Sequence, residues 1–168
     1  MSVSEGILKA CGKLSHIGAL FLLIASCLPA IYRTYSRSTA ISESTLLDFL
    51  WFFGFYFTVY WKVTEGQPIQ WSVYSGIFFY PLGLFVGLIL LVMGIITLIK
   101  SAQIKKEEIE YKKGGFVLLG CGIASIVSLA VWVFNTRGYY NTGPAVILGI
   151  IASIIVIISG ILIVIYSR

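Results

Sequence analysis

The chain has 168 residues, 58% of them apolar and 11% charged, with a net charge of +5 at neutral pH. A mean hydropathy of +0.96 excludes an ordinary water-soluble domain and requires most of the surface to face lipid. The positive charge does not point to nucleic acid, because Lys and Arg flank the apolar runs and nowhere form a dense basic stripe.

A bilayer core ~30 Å thick takes about 20 apolar residues in a helix, and the first window of that length is 14–32, whose one ionisable residue is His16. Lys9 and Lys13 precede it. The run Ile24-Ala25-Ser26-Cys27 fits the short pattern that precedes a lipid-modified cysteine, but Leu28-Pro29-Ala30-Ile31-Tyr32 continue the apolar run instead of opening a polar tether. An uncleaved first helix is therefore expected.

The stretch 33–76 changes period. From Phe55 on, Phe55, Phe57, Val59, Trp61 and Val63 alternate with Tyr56, Thr58, Tyr60, Lys62 and Thr64. After the breaker Thr64-Glu65-Gly66-Gln67-Pro68, Ile69, Trp71 and Val73 alternate with Gln70, Ser72 and Tyr74. Two such runs around a turn predict a β-hairpin. Pairing Val63 with Ile69 sets Trp61 opposite Trp71 and Val59 opposite Val73, so the large apolar side chains share one face. A lone hairpin is marginal in water, and Trp51, Phe52 and Phe53 are candidates to cover it. Asp48 would be costly in lipid; it is expected at the outer interface, starting a short helix over 46–53 and pairing with Arg33 or Arg37. A rival fifth span over 45–61 distributes the charges as well as four spans do, and the strand-like alternation decides against it.

Windows 77–99, 116–135 and 145–167 carry no ionisable residue and give the remaining three spans, the third opening at 115. The linker 100–113 has five Lys against three Glu, with Glu108 four residues before Lys112, and reads as an exposed helical extension of the second span. Eight cations then fall on one side (Lys9, Lys13, Lys100, Lys105, Lys106, Lys112, Lys113, Arg168) against four on the other (Arg33, Arg37, Lys62, Arg137). The positive-inside bias makes both termini cytoplasmic, and the cell membrane is the expected location. Tyr32, Tyr35, Phe79, Tyr80, Trp132, Phe134, Tyr139 and Tyr140 are expected as outer interfacial anchors, with Tyr111 and Tyr166 as inner ones. The expected fold is an all-α transmembrane four-helix bundle, one domain over 1–168, with an extracellular β-hairpin in its first outer loop.

Small residues recur at offsets i, i+4, i+11 in the second span (Gly83, Gly87, Gly94) and the fourth (Gly149, Ser153, Gly160). Gly114, Cys121, Ser125 and Ser128 make a similar stripe in the third. Such stripes let helices approach closely, within one bundle or between copies. Cys11, Cys27 and Cys121 all fall at or inside helices, so no loop disulfide is expected. His16 has no partner near in sequence and reads as an interfacial polar residue at a helix start. Spans two to four lack the buried acids, bases and ligand histidines that transport, redox or hydrolytic chemistry needs. No catalytic residue, metal site or cofactor is expected. The outer aromatic surplus, Trp51, Tyr60, Trp61, Trp71 and Tyr74, exceeds what anchoring requires and is the candidate partner-binding set. The partners expected are membrane lipids and either further copies of the chain or a larger membrane protein. An accessory subunit docking through the small-residue faces, and a small oligomeric channel or transporter, are the alternatives.

Phe49-Leu50-Trp51, followed by Gly66-Gln67-Pro68-Ile69-Gln70-Trp71-Ser72-Val73-Tyr74, resembles the first outer loop of the claudin and peripheral myelin protein superfamily. Leu50 and Trp51 match the last two residues of that family's Gly-Leu-Trp, while its two loop cysteines are absent here. The resemblance implies four helices with cytoplasmic ends, a large first outer loop folded as strands and a short second one. It also implies adhesion, barrier formation or modulation of a partner membrane protein through the outer loop.

Overall fold

A computed structural model describes residues 3–40, 42–77, 80–106, 110–137 and 141–167. Along the chain run α1 (Val3–Cys27), β1 (Pro29–Ser38), β2 (Ser42–Trp51), β3 (Phe55–Thr64), β4 (Gln70–Ile77), α2 (Pro81–Lys105), α3 (Tyr111–Thr136), β5 (Asn141–Thr142) and α4 (Pro144–Tyr166). All four helices are long and apolar enough to cross a membrane, over Gly6–Cys27, Pro81–Ile104, Tyr111–Thr136 and Pro144–Tyr166, the make-up of a multi-pass membrane protein.

The first helix is displaced from its expected window. It takes in Lys9 and Lys13 and stops at Cys27, so residues 29–32 belong to β1. Pro29 sets this limit: it disfavours helical geometry at Leu28 and has no N–H to donate. Ile77 likewise ends β4, and the second helix opens only at Pro81. Pro81 and Pro144 each sit in a helix's first turn, where the missing N–H would have had no partner anyway. α2 continues past its apolar stretch to Lys105, but Glu108 and Phe79, Tyr139 and Tyr140 lie outside the described residues. At the start of α3, Lys113 reaches Glu110 at 2.8 Å; its hydrogen bond and charge hold the Glu110 carboxyl below its ordinary range.

α1 packs against α2 and α4, and α3 against α4 and α2. Small residues bring α3 and α4 closest together. A Cβ on Gly160 would stand 2.8 Å from the backbone N of Leu119, and one on Gly122 would stand 3.0 Å from the carbonyl of Ser153. Buried serine hydroxyls are satisfied within their own helices: Ser15 donates to Cys11 O, Ser125 to Cys121 O, Ser128 to Ser125 O and Ser153 to Gly149 O. His16 is not at a helix start. It lies in the body of α1 with its Nδ1 3.0 Å from Ser101 Oγ on α2.

The strands form one antiparallel sheet in the order β4-β3-β2-β1-β5, so the expected lone hairpin is half of a larger unit. Its register is the expected one: Trp61 faces Trp71 and Val59 faces Val73. The short helix over 46–53 does not form, and neither does a fifth span over 45–61. Both segments belong to the β2–β3 hairpin, where Thr45 pairs with Trp61 and Asp48 with Thr58. β2 has strand neighbours on both sides, and this pairing overrides its weak alternation. The two-residue β5, from the connection between α3 and α4, pairs Thr142 with Ile31 and Asn141 with Tyr32. Because β1 follows α1, β4 precedes α2 and β5 lies between α3 and α4, the whole sheet stands at one end of the helices. The α2–α3 connection stands at the other.

Candidate interaction surface

Strand register divides the sheet into two chemically different faces. One carries Leu47, Phe49 and Trp51 of β2, Phe55, Phe57, Val59, Trp61 and Val63 of β3, and Trp71, Val73 and Ile77 of β4, with Thr45 and Glu43 of β2 opposite Trp61 and Val63 at its distal end. The other carries Arg33 and Arg37 of β1, Asp48 of β2, Thr58, Tyr60 and Lys62 of β3, and Tyr74 of β4. The candidate set is therefore split. Trp51, Trp61 and Trp71 lie on the apolar face, and Tyr60 and Tyr74 on the polar one. Trp71, 72% exposed, is the most open of the sheet's aromatics, and Val63, Val73 and Phe57 beside it are exposed too.

On the polar face, Arg33, Asp48, Thr58 and Tyr74 fall in one cross-strand row. Asp48 accepts a 2.7 Å hydrogen bond from Thr58 Oγ1 and has Arg33 as its direct neighbour across β1, so the carboxylate expected to be troublesome in lipid stands in a polar environment. One row nearer the bundle, Gly76 on β4 leaves its space to the ring of Tyr56, whose atoms would lie 2.7 Å from a Cβ there.

The sheet is seated on the helices through its β2–β3 turn. Gly54 N donates to Trp51 O at 3.0 Å, and Gly54 takes φ +82°, a conformation that favours glycine and closes a three-residue hairpin loop. The turn drives Phe52, fully buried, onto the edge of Trp132, with ring centroids 5.1 Å apart. Trp132 in turn meets Tyr80 at 5.4 Å. It is not the expected interfacial anchor, since its side chain is fully buried and its Nε1 has no hydrogen-bond partner.

Gly83 and Gly87 accept this plug rather than another helix. A Cβ on Gly83 would stand 2.8 Å from Phe52 O, and one on Gly87 would stand 2.8 Å from Phe52 Cβ. Gly94 does pack helix on helix, against Leu22 and Leu23 of α1, and Gly149 meets Leu129 of α3. Gly83, Gly87, Gly94, Gly149, Ser153 and Gly160 are all buried within the single chain, so neither stripe is open to a second copy or a docking partner. Phe52, a candidate to cover the hairpin, instead plugs the helices; its sequence signal is the Trp51-Phe52-Phe53-Gly54 turn between two strands.

At the base of the apolar face Trp51 donates Nε1–H to Cys27 O at 3.0 Å. Together with Phe53, Phe55, Tyr56 and Phe57 these residues line a cavity of about 390 Å³. At the far edge of the sheet, Gln70–Ile77 carries no charged residue and no proline, the devices that usually keep an edge strand from pairing. Among the described residues no group of three or more His, Cys, Asp or Glu is placed to hold a metal ion. No family model matches the chain, and no curated protein matches it either.

Proposed function

We propose that this chain is a non-enzymatic tetraspan of interaction type, similar to the claudin and peripheral myelin protein superfamily. Its sheet stands outside the cell membrane, its termini are cytoplasmic, and the distal half of its apolar sheet face contacts a partner in the same or an adjacent membrane. The observation that carries this reading is the Trp61–Trp71 pair, with Trp61 half-buried and Trp71 72% open, on an uncharged edge strand. Water-facing apolar surface of this extent is unfavourable unless covered, and aromatic residues are what interface centres favour. The layout supports the resemblance: the long first connection folds as four strands and the short connection between α3 and α4 adds a fifth. The charge bias supports the sidedness, with eight cations toward the end opposite the sheet and four toward it. An accessory subunit docking through small-residue stripes has no such support, because those stripes are filled internally.

The test is self-association and cell–cell adhesion of the Trp61→Ser/Trp71→Ser double variant, using differently tagged copies and protein shown to reach the membrane. The expected result is loss of co-purification or of aggregation between expressing cells. Retention of both at the wild-type level would remove the reading.

A further inference from the structure

α1 stops short of its neighbour. Leu22 and Leu23 lie against Gly94 of α2. From that level α2 runs thirteen more residues back to Pro81, whereas α1 runs only four more to Cys27. At about 1.5 Å per residue α2 overreaches α1 by roughly 14 Å. The stretch Pro81–Ile104 is long and apolar enough to cross a membrane, and its first turns stand at the level that α1 vacates. Phe52 and Ala30, both fully buried, fill the inner side of this step. The outer side holds the 390 Å³ cavity floored by Cys27 and otherwise lined by Trp51, Phe53, Phe55, Tyr56 and Phe57.

Two features say what enters it. The exposed side chains Ile17, Leu20 and Ile24 make a line up α1 at helical spacing, and the exposed Cys27 continues that line, so the cavity floor is an extension of the lipid-facing stripe. The indole N–H of Trp51 is already spent on Cys27 O, and the lining is almost wholly aromatic, which gives water little to bond to. The geometry points to a lipid site: the acyl chain of a phospholipid in the adjoining leaflet lies along Ile17, Leu20 and Ile24, and its upper segment fills the cavity under the sheet. The base of the apolar face is thereby covered by lipid, while Trp61 and Trp71 stay free. This inference stands apart from the partner-binding reading, which uses the distal residues.

The experiment is fluorescence quenching of the full chain in vesicles of phosphatidylcholine with or without dibrominated stearoyl chains. In the Trp61→Phe/Trp71→Phe variant the remaining indoles are Trp51 and Trp132, and Trp132 is fully buried. Brominated chains should remove most of the emission that a further Trp51→Phe substitution removes, and aqueous iodide should remove little of it. A bimane attached to Cys27 of the unsubstituted chain, where Cys11 and Cys121 are buried, should respond in the same way. Emission from Trp51 and Cys27 that is insensitive to brominated chains would overturn the proposal, with iodide quenching pointing to a water-filled groove and protection from both quenchers to a protein occupant.

Discussion

Phe52 decides how the sheet is held. It is one side chain at a turn, yet it meets Trp132, Gly83 and Gly87 at once. Truncating a buried Phe costs about 3–5 kcal/mol through lost contacts and the cavity left behind. Phe52→Ala should therefore lower thermal stability in detergent by an amount in that range and leave the turn accessible to proteases that spare the wild type. Gly87→Leu attacks the same contact from the other side, since its Cβ would stand 2.8 Å from Phe52 Cβ, and should give the same protease-sensitive sheet with the helices intact. A Phe52→Ala variant as stable and as resistant as wild type would mean that β5 and β1 alone hold the sheet. Trp132, with its unpartnered Nε1, pays a desolvation penalty at this seat, which the ring contacts to Phe52 and Tyr80 offset.

At the scale of elements, the small-residue stripes separate into distinct uses that composition could not distinguish. Gly160 and Gly122 let α3 and α4 touch backbone to backbone, whereas Gly120 on the same α3 has nothing within 4 Å of a Cβ. Gly160→Val should destabilise the bundle by about 1–3 kcal/mol, the usual effect of overpacking. Gly120→Val should change stability by only a few tenths, and a detergent melting series of the two variants would show whether the α3–α4 contact is as tight as these distances require. Sequence reading reached much of this architecture: the spans from their hydropathy, and β3 and β4 with their register from alternation around Gly66. It missed β1 and β2. Pro29–Ser38 opens with residues that continue an apolar run, and Ser42–Trp51 contains Leu46-Leu47 and Leu50-Trp51 pairs that break the period of two. Both are strands because of what flanks them, information that lies in the pairing partner and not in the segment itself. The candidate surface was half legible for the same reason: the aromatics were visible, but which of them share a face depends on all four strands.

On the scale of the whole molecule, the level at which α1 stops sets the design. Because α1 ends at Cys27, the base of the sheet lies at the level of the first turns of α2; in the proposed arrangement that base meets lipid and the tip stands in water. Whether that tip meets other cells or the cytoplasm rests on orientation, which single cysteines can settle in a background with Cys27 replaced. Ser36→Cys lies near the end of β1 and Gln67→Cys in the β3–β4 turn, both exposed, while Lys112→Cys lies in the first turn of α3 at the opposite end. A charged, membrane-impermeant maleimide applied to intact cells should label Ser36→Cys and Gln67→Cys, and should label Lys112→Cys only after permeabilisation, if the excess of cations at that end faces the cytoplasm as proposed. The reverse pattern would put the sheet inside the cell and end the adhesion reading while leaving the lipid cavity untouched. Labelling of Ser36→Cys and Gln67→Cys from opposite sides would contradict the sheet itself, because β1 and β3 are joined through β2 and cannot stand on different sides of a bilayer.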